Sequence, residues 1–214
     1  MALSKIQPAS MDLTANYAFT GTNSIPSASS GTYEQKKLTT LTASSSSTLS
    51  FTSSIDSTYN IYKFRFVNIH PSASNPQFTF NASADSGSNY NVTKTTTWFN
   101  AYNDESGGTP SLNYFTGGDL AQSTDFQRLA NAVGNENDHH TSGELFLFDP
   151  SSTTFVKHFI CRIHTHQDDT PQVAYSTDAF IAGYFNTTSA LDAIQFKMSS
   201  GNIDSGTIEM YGIN

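Results

Sequence analysis

Two stretches of this chain alternate strictly enough to dictate their backbone. In residues 60–70 (NIYKFRFVNIH), Tyr62, Phe64 and Phe66 fall on one side and Lys63 and Arg65 on the other. In residues 154–166 (TFVKHFICRIHTH), Phe155, Phe159, Cys161 and Ile163 share a side that Lys157 interrupts. Val156 and Ile160 lie opposite with His158, Arg162 and His164. A period of two puts successive side chains on opposite faces of a pleated strand. Aromatic and β-branched residues favour that half-buried surface.

The same reading extends along the chain. Residues 37–41 (KLTTL) and 48–52 (TLSFT) flank the loop Ser44 to Ser47. Residues 77–84 (QFTFNASA) set Phe78 and Phe80 on one face, and the strand over 90–102 carries Val92, Thr95, Thr97, Trp98 and Phe99. Residues 144–148 (ELFLF) form a buried strand stopped by Asp149-Pro150, and residues 178–186, 193–198 and 206–213 complete the set. Turn chemistry separates them: Asp85 to Ser88, the loop 104–110 (DESGGTP), Thr116-Gly117-Gly118, and Ser199-Ser200-Gly201-Asn202. This last turn predicts a closing antiparallel hairpin. Only residues 119–133 (DLAQSTDFQRLANAV) offer a helix, with Asp119 as cap and Phe126 near Leu129 on one face. A loop running into a strand reads the same letters equally well. About nine or ten strands with frequent turns predict an all-β fold, an antiparallel β-sandwich or jelly roll. Residues 33–214 are expected to form that single domain. Residues 1–32 lack periodicity and read as an extended N-terminal arm, with Leu3, Ile6, Met11, Leu13, Tyr17 and Phe19 as apolar anchors.

Charged residues make up only 13% of the 214, and 30 Ser and 27 Thr take their place. Disorder would suit so polar a chain, but 16 Phe and 10 Tyr contradict it, because disordered chains are poor in aromatics. With a net charge of −8 and Lys36-Lys37 as the only basic pair, the chain lacks the footprint that phosphate or an anionic membrane needs. Neither nucleic acid nor membrane is therefore expected as a partner. The first ten residues carry no apolar core of a secretory signal, and the single cysteine, Cys161, excludes an internal disulfide.

Candidate chemistry is sparse. His164 and His166 fall on one face of a strand with Asp168 and Asp169 following, a possible start for a metal site. Catalytic zinc, however, needs three well-placed protein ligands. Polar residues at a strand end explain the cluster as well, and His139-His140 point apart if extended. Cys161 sits among Phe159, Ile160 and Ile163, the setting of an inert thiol. No nucleophile elbow or phosphate loop is present. Asn81, Asn91 and Asn186 match the N-glycosylation pattern, as chance allows in so Asn-, Ser- and Thr-rich a chain. Trp98, Tyr102 and Tyr114 are the residues that would stack on a sugar, although core or interface roles are commoner for such rings. No catalytic, cofactor-binding or metal residue is assigned, and the chain is expected not to be an enzyme.

Three C-terminal segments carry a resemblance: residues 149–159 (DPSSTTFVKHF), 181–190 (IAGYFNTTSA) and 196–213 (FKMSSGNIDSGTIEMYGI). They resemble virion structural proteins of marine tailed bacteriophages. The ending GTIEMYGI is the most specific part, and the resemblance runs from about Tyr59 onward. It implies a structural role in the virion, assembled in the host cytoplasm, and supplies no catalytic residue. On that basis the chain is expected to be a capsid decoration or cement protein, a homotrimer whose partners are the major capsid protein or other virion proteins. The alternative is a tail or fibre-tip protein that binds host glycans.

Overall fold

The computed structural model describes residues 35–108, 110–170 and 173–214, with side chains described outside 168–173. These residues form twelve antiparallel strands and, among them, no helix. The strands are β1 (Gln35–Thr42), β2 (Leu49–Phe51), β3 (Ile61–Pro71), β4 (Phe78–Ser83), β5 (Lys94–Asp104), β6 (Ser111–Tyr114), β7 (Gln127–Ala130), β8 (Thr141–Phe148), β9 (Lys157–Thr170), β10 (Val173–Phe185), β11 (Ala193–Met198) and β12 (Ile203–Ile213). The arm expected over residues 1–32 lies outside the described residues.

The strands build two sheets, one of eight in the order β1-β12-β3-β8-β9-β10-β5-β6 and one of four in the order β2-β11-β4-β7. Within this pattern sits an eight-stranded jelly roll. Its halves are β1-β12-β3-β8 and β2-β11-β4-β7, and successive members of the eight switch sheet except at β4 and β7, which are neighbours in the narrow sheet. Two hairpins are inserted between its members: β5–β6 after β4, and β9–β10 after β8. Both join the larger sheet beyond β8, so that sheet is twice as wide as its partner.

Two expectations are corrected and one open choice is decided. The strand count is twelve, because β6 and β7 are only four residues each and leave almost no periodic signal. The candidate helix over 119–133 is instead a loop entering β7, where Gln127, Leu129 and Ala130 are buried against both sheets' interior. The expected closing hairpin does not form. β11 pairs with β2 and β4 while β12 pairs with β1 and β3, so Ser199 to Asn202 turns a corner between sheets.

Phenylalanine fills the space between the sheets. Phe196 on β11 lies among Phe51, Phe64, Phe66, Phe78 and Phe80, with ring centroids 5.2–6.3 Å apart, edge-on to Phe51 and Phe66, tilted to Phe64 and stacked on Phe78 and Phe80. Such pairs add to the area term, itself about 1.5–3 kcal/mol for each buried ring. Phe159 and Phe185 carry the cluster along the wider sheet through Phe80. At the far end the β3–β12 register shifts. There Gly206 has φ +107 and a Cβ would stand 2.4 Å from the Asn68 carbonyl oxygen, so only glycine fits. Lys157, which interrupts the apolar face of β9 in sequence, is nonetheless fully buried and donates to the Thr187 carbonyl at 3.2 Å.

Candidate functional site

The wide sheet has an outer face that no other strand among the described residues covers. Register runs straight across it. Tyr114 pairs with Phe99, Phe99 with Phe180, Phe180 with Arg162, Arg162 with Glu144, Glu144 with Arg65, and Arg65 with Glu209. Directly opposed residues share a face, so one row reads aromatic at the β6 end and alternately charged toward β12. The adjacent row, Ala182, Ile160 and Phe146, is apolar as far as Lys63.

The apolar part is exposed. Phe99 is 44% accessible, Ile160 48%, Tyr114 54% and Leu112 72%. Phe99 and Phe180 stack 4.9 Å apart and nearly parallel, and the Arg162 guanidinium lies 4.9 Å from the Phe180 centroid. Between them a groove of about 360 Å³ is lined by Phe99, Phe146, Ile160, Phe180 and Ala182. The charged part is already paired within the chain: Arg162 with Asp178 at 2.8 Å, Lys63 with Glu144 at 2.6 Å, and Arg65 with Glu209. The Tyr211 hydroxyl, with Arg65 and Lys37, holds Glu209 below the usual carboxylate range. A partner meeting this face would find a dry aromatic centre beside a polar border, the anatomy of protein interfaces.

Beneath the same strands, on the inner face, the narrow sheet stops at β7 and the wide sheet overhangs it. The overhang encloses a cavity of about 270 Å³ lined by Trp98, Asn100 and Tyr102 of β5, Asn113 of β6, Phe115, Ala130 and Asn131, Thr165 and Gln167 of β9, and Tyr175, Thr177 and Ala179 of β10. Gly118 lets the indole settle there, since a Cβ would come within 2.1 Å of Trp98 Cε3.

The fold brings some of the residues singled out from sequence together and separates others. Trp98 and Tyr102 share the inner cavity, whereas Tyr114 is on the outer side, donating to Asp119 at 2.7 Å. His164 shares a 2.9 Å hydrogen bond with Ser176. His166 lines the same surface groove as His164, as their spacing along the strand predicts, and also packs on His139, ring centroids 3.9 Å apart, with Glu105 3.5 Å from its Nε2. No group of three metal-ligating side chains occurs among the described residues, and the side chains of Asp168 and Asp169 lie outside them. Cys161 is a free, buried thiol that burial pushes far above its ordinary pKa. Asn81 is fully buried and donates to the Tyr90 and Thr124 carbonyls. The outer aromatic face escapes sequence reading because Phe146, Ile160, Phe180 and Phe99 come from four strands, and each alone looks like one more core residue.

No protein-family model, no curated protein and no solved structure matches the chain. The reading of function therefore rests on the residues themselves.

Proposed function

We propose that the chain is a non-enzymatic structural protein of a virus particle, a capsid decoration or cement protein that strengthens the shell by protein–protein contact. The observation that carries this reading is the exposed aromatic face of β8, β9, β10 and β5. Contiguous exposed apolar surface rimmed by polar residues marks sites of association. The C-terminal resemblance to phage virion proteins supplies the setting. The jelly roll supports it only by analogy, because viral shells and lectins both use that architecture and fold alone does not fix function.

The physical mechanism is modest contact repeated many times. A stable interface buries about 800 Å² on each partner. The stacked Phe99–Phe180 pair and Ile160 provide its dry centre, and Arg162, Asp178 and Glu144 its border. Copies arrayed on a shell, each a homotrimer touching the major capsid protein, would add their contacts through effective concentration.

Quantitative mass spectrometry of purified particles of the encoding virus tests the reading. A copy number in proportion to shell subunits is expected. A number in proportion to tail proteins would move the chain to the tail, and absence from particles would end the proposal.

A further inference from the structure

We infer that the inner-face cavity beneath the overhang is a binding site for one unit of a neutral saccharide. It lies on the opposite side of the sheet from the assembly face and does not depend on that reading.

Four observations carry the inference. First, the lining combines aromatic rings with amides and hydroxyls and includes no Asp, Glu, Lys, Arg or His. Sugars present an apolar C–H face to a ring and hydroxyls at their rim, and both halves of that chemistry are met here. Second, half of the polar residues in the lining have uncommitted side chains; Asn113, Thr165, Gln167 and Thr177 are already bonded. The side chains of Asn100 and Asn131 and the hydroxyls of Tyr102 and Tyr175 make no hydrogen bond among the described residues. An amide offers donor and acceptor together, as a pair of neighbouring sugar hydroxyls does. Third, the Trp98 indole N–H is buried without an acceptor. A buried donor left unpaired is destabilising, and a small turn of the indole toward the cavity would let a ligand hydroxyl accept from it. Fourth, Tyr102 and Tyr175 meet edge to face at 5.6 Å and 87°, making a corner in which a ring can sit.

Size and charge narrow the ligand. About 270 Å³ equals roughly nine waters at ~30 Å³ each. That holds one hexose, with any continuing chain outside. Acidic sugars are disfavoured, because a carboxylate is usually met by Arg or Lys and the chain as a whole carries −8. A peptide is disfavoured because extended peptides pair through their backbone with a sheet edge, whereas this lining is mostly side chains on the face of the sheet.

Trp98 is the chain's single tryptophan, so intrinsic fluorescence reports on the cavity directly. The full-length protein would be titrated with glucose, galactose, mannose, N-acetylglucosamine and their disaccharides, and probed on an array of neutral and acidic glycans. The expected result is a saturable change in Trp98 emission with at least one neutral sugar, and array binding confined to neutral termini. Because Trp98→Ala would disturb the core, the variants are Tyr102→Ala and Asn131→Ala at half-buried positions. Loss of the Tyr102 ring should weaken binding about tenfold. Phe99→Ser on the outer face should leave binding unchanged. The inference is overturned by silence toward every neutral sugar, by binding to acidic glycans alone, or by full binding in both cavity variants. Particle copy number is independent of all these outcomes, so failure here leaves the assembly reading standing.

Discussion

Lys94, the first residue of β5, is fully buried, with its ammonium donating to the Asp125 carbonyl and lying 5.8 Å from the Phe185 ring. Burial lowers its pKa to about 8, against an opposing pull from Asp125. In the unfolded chain the group titrates near its ordinary 10.5. The unfolded state therefore holds a proton between those values that the folded state has released, so stability rises with pH across that window. A depressed folded pKa gives a contribution complete above the unfolded pKa and lost as pH falls through the folded one. At 1.36 kcal/mol per unit, the whole span amounts to about 3 kcal/mol, of which about 2 kcal/mol falls between pH ~7 and ~9.5. Lys94→Met removes the titration. The assay is urea unfolding followed by Trp98 emission at the two pH values, read as the difference between wild type and variant so that other groups cancel. Wild type should gain about 2 kcal/mol relative to Lys94→Met as pH rises. A difference that does not move with pH would refute the reasoning, and would mean that the ammonium reaches water.

Phe196→Ala should lose about 3–5 kcal/mol in urea unfolding, since five rings lean on that side chain and the gap cannot close around it. Cys161 should resist thiol-specific alkylation in native buffer and react fully in denaturant, because its buried thiol does not ionise. Phe99→Ser with Ile160→Ser should change unfolding stability by less than about 1 kcal/mol, as surface substitutions do, while abolishing co-sedimentation with particles. Retained co-sedimentation would move the contact to another surface.

The sequence is most legible where one face of a long strand is buried. The Tyr62, Phe64 and Phe66 alternation marks β3 because its inner face packs on a second sheet. Legibility fails for three physical reasons. Strands of four residues such as β6 and β7 hold two side chains per face, too few to show a period. A Gly-containing turn such as Ser199 to Asn202 has the same composition whether it joins neighbours in one sheet or crosses between two. Lys157 looks like an outward residue on an apolar face because sequence does not show the Thr187 carbonyl that receives it. The candidate sites are less legible still. Spacing within β5 groups Trp98 with Tyr102, but Asn131 and Tyr175 join them only through the overhang. Tyr114 looks like a companion to Trp98 yet stands on the other side of the sheet.

A cryo-EM reconstruction of the intact particle tests the assembly claim most directly. The account predicts density for the twelve-stranded domain on the shell, with Phe99, Phe180 and Ile160 covered by a neighbouring protein. A domain found on the particle with that aromatic face turned to solvent would contradict it.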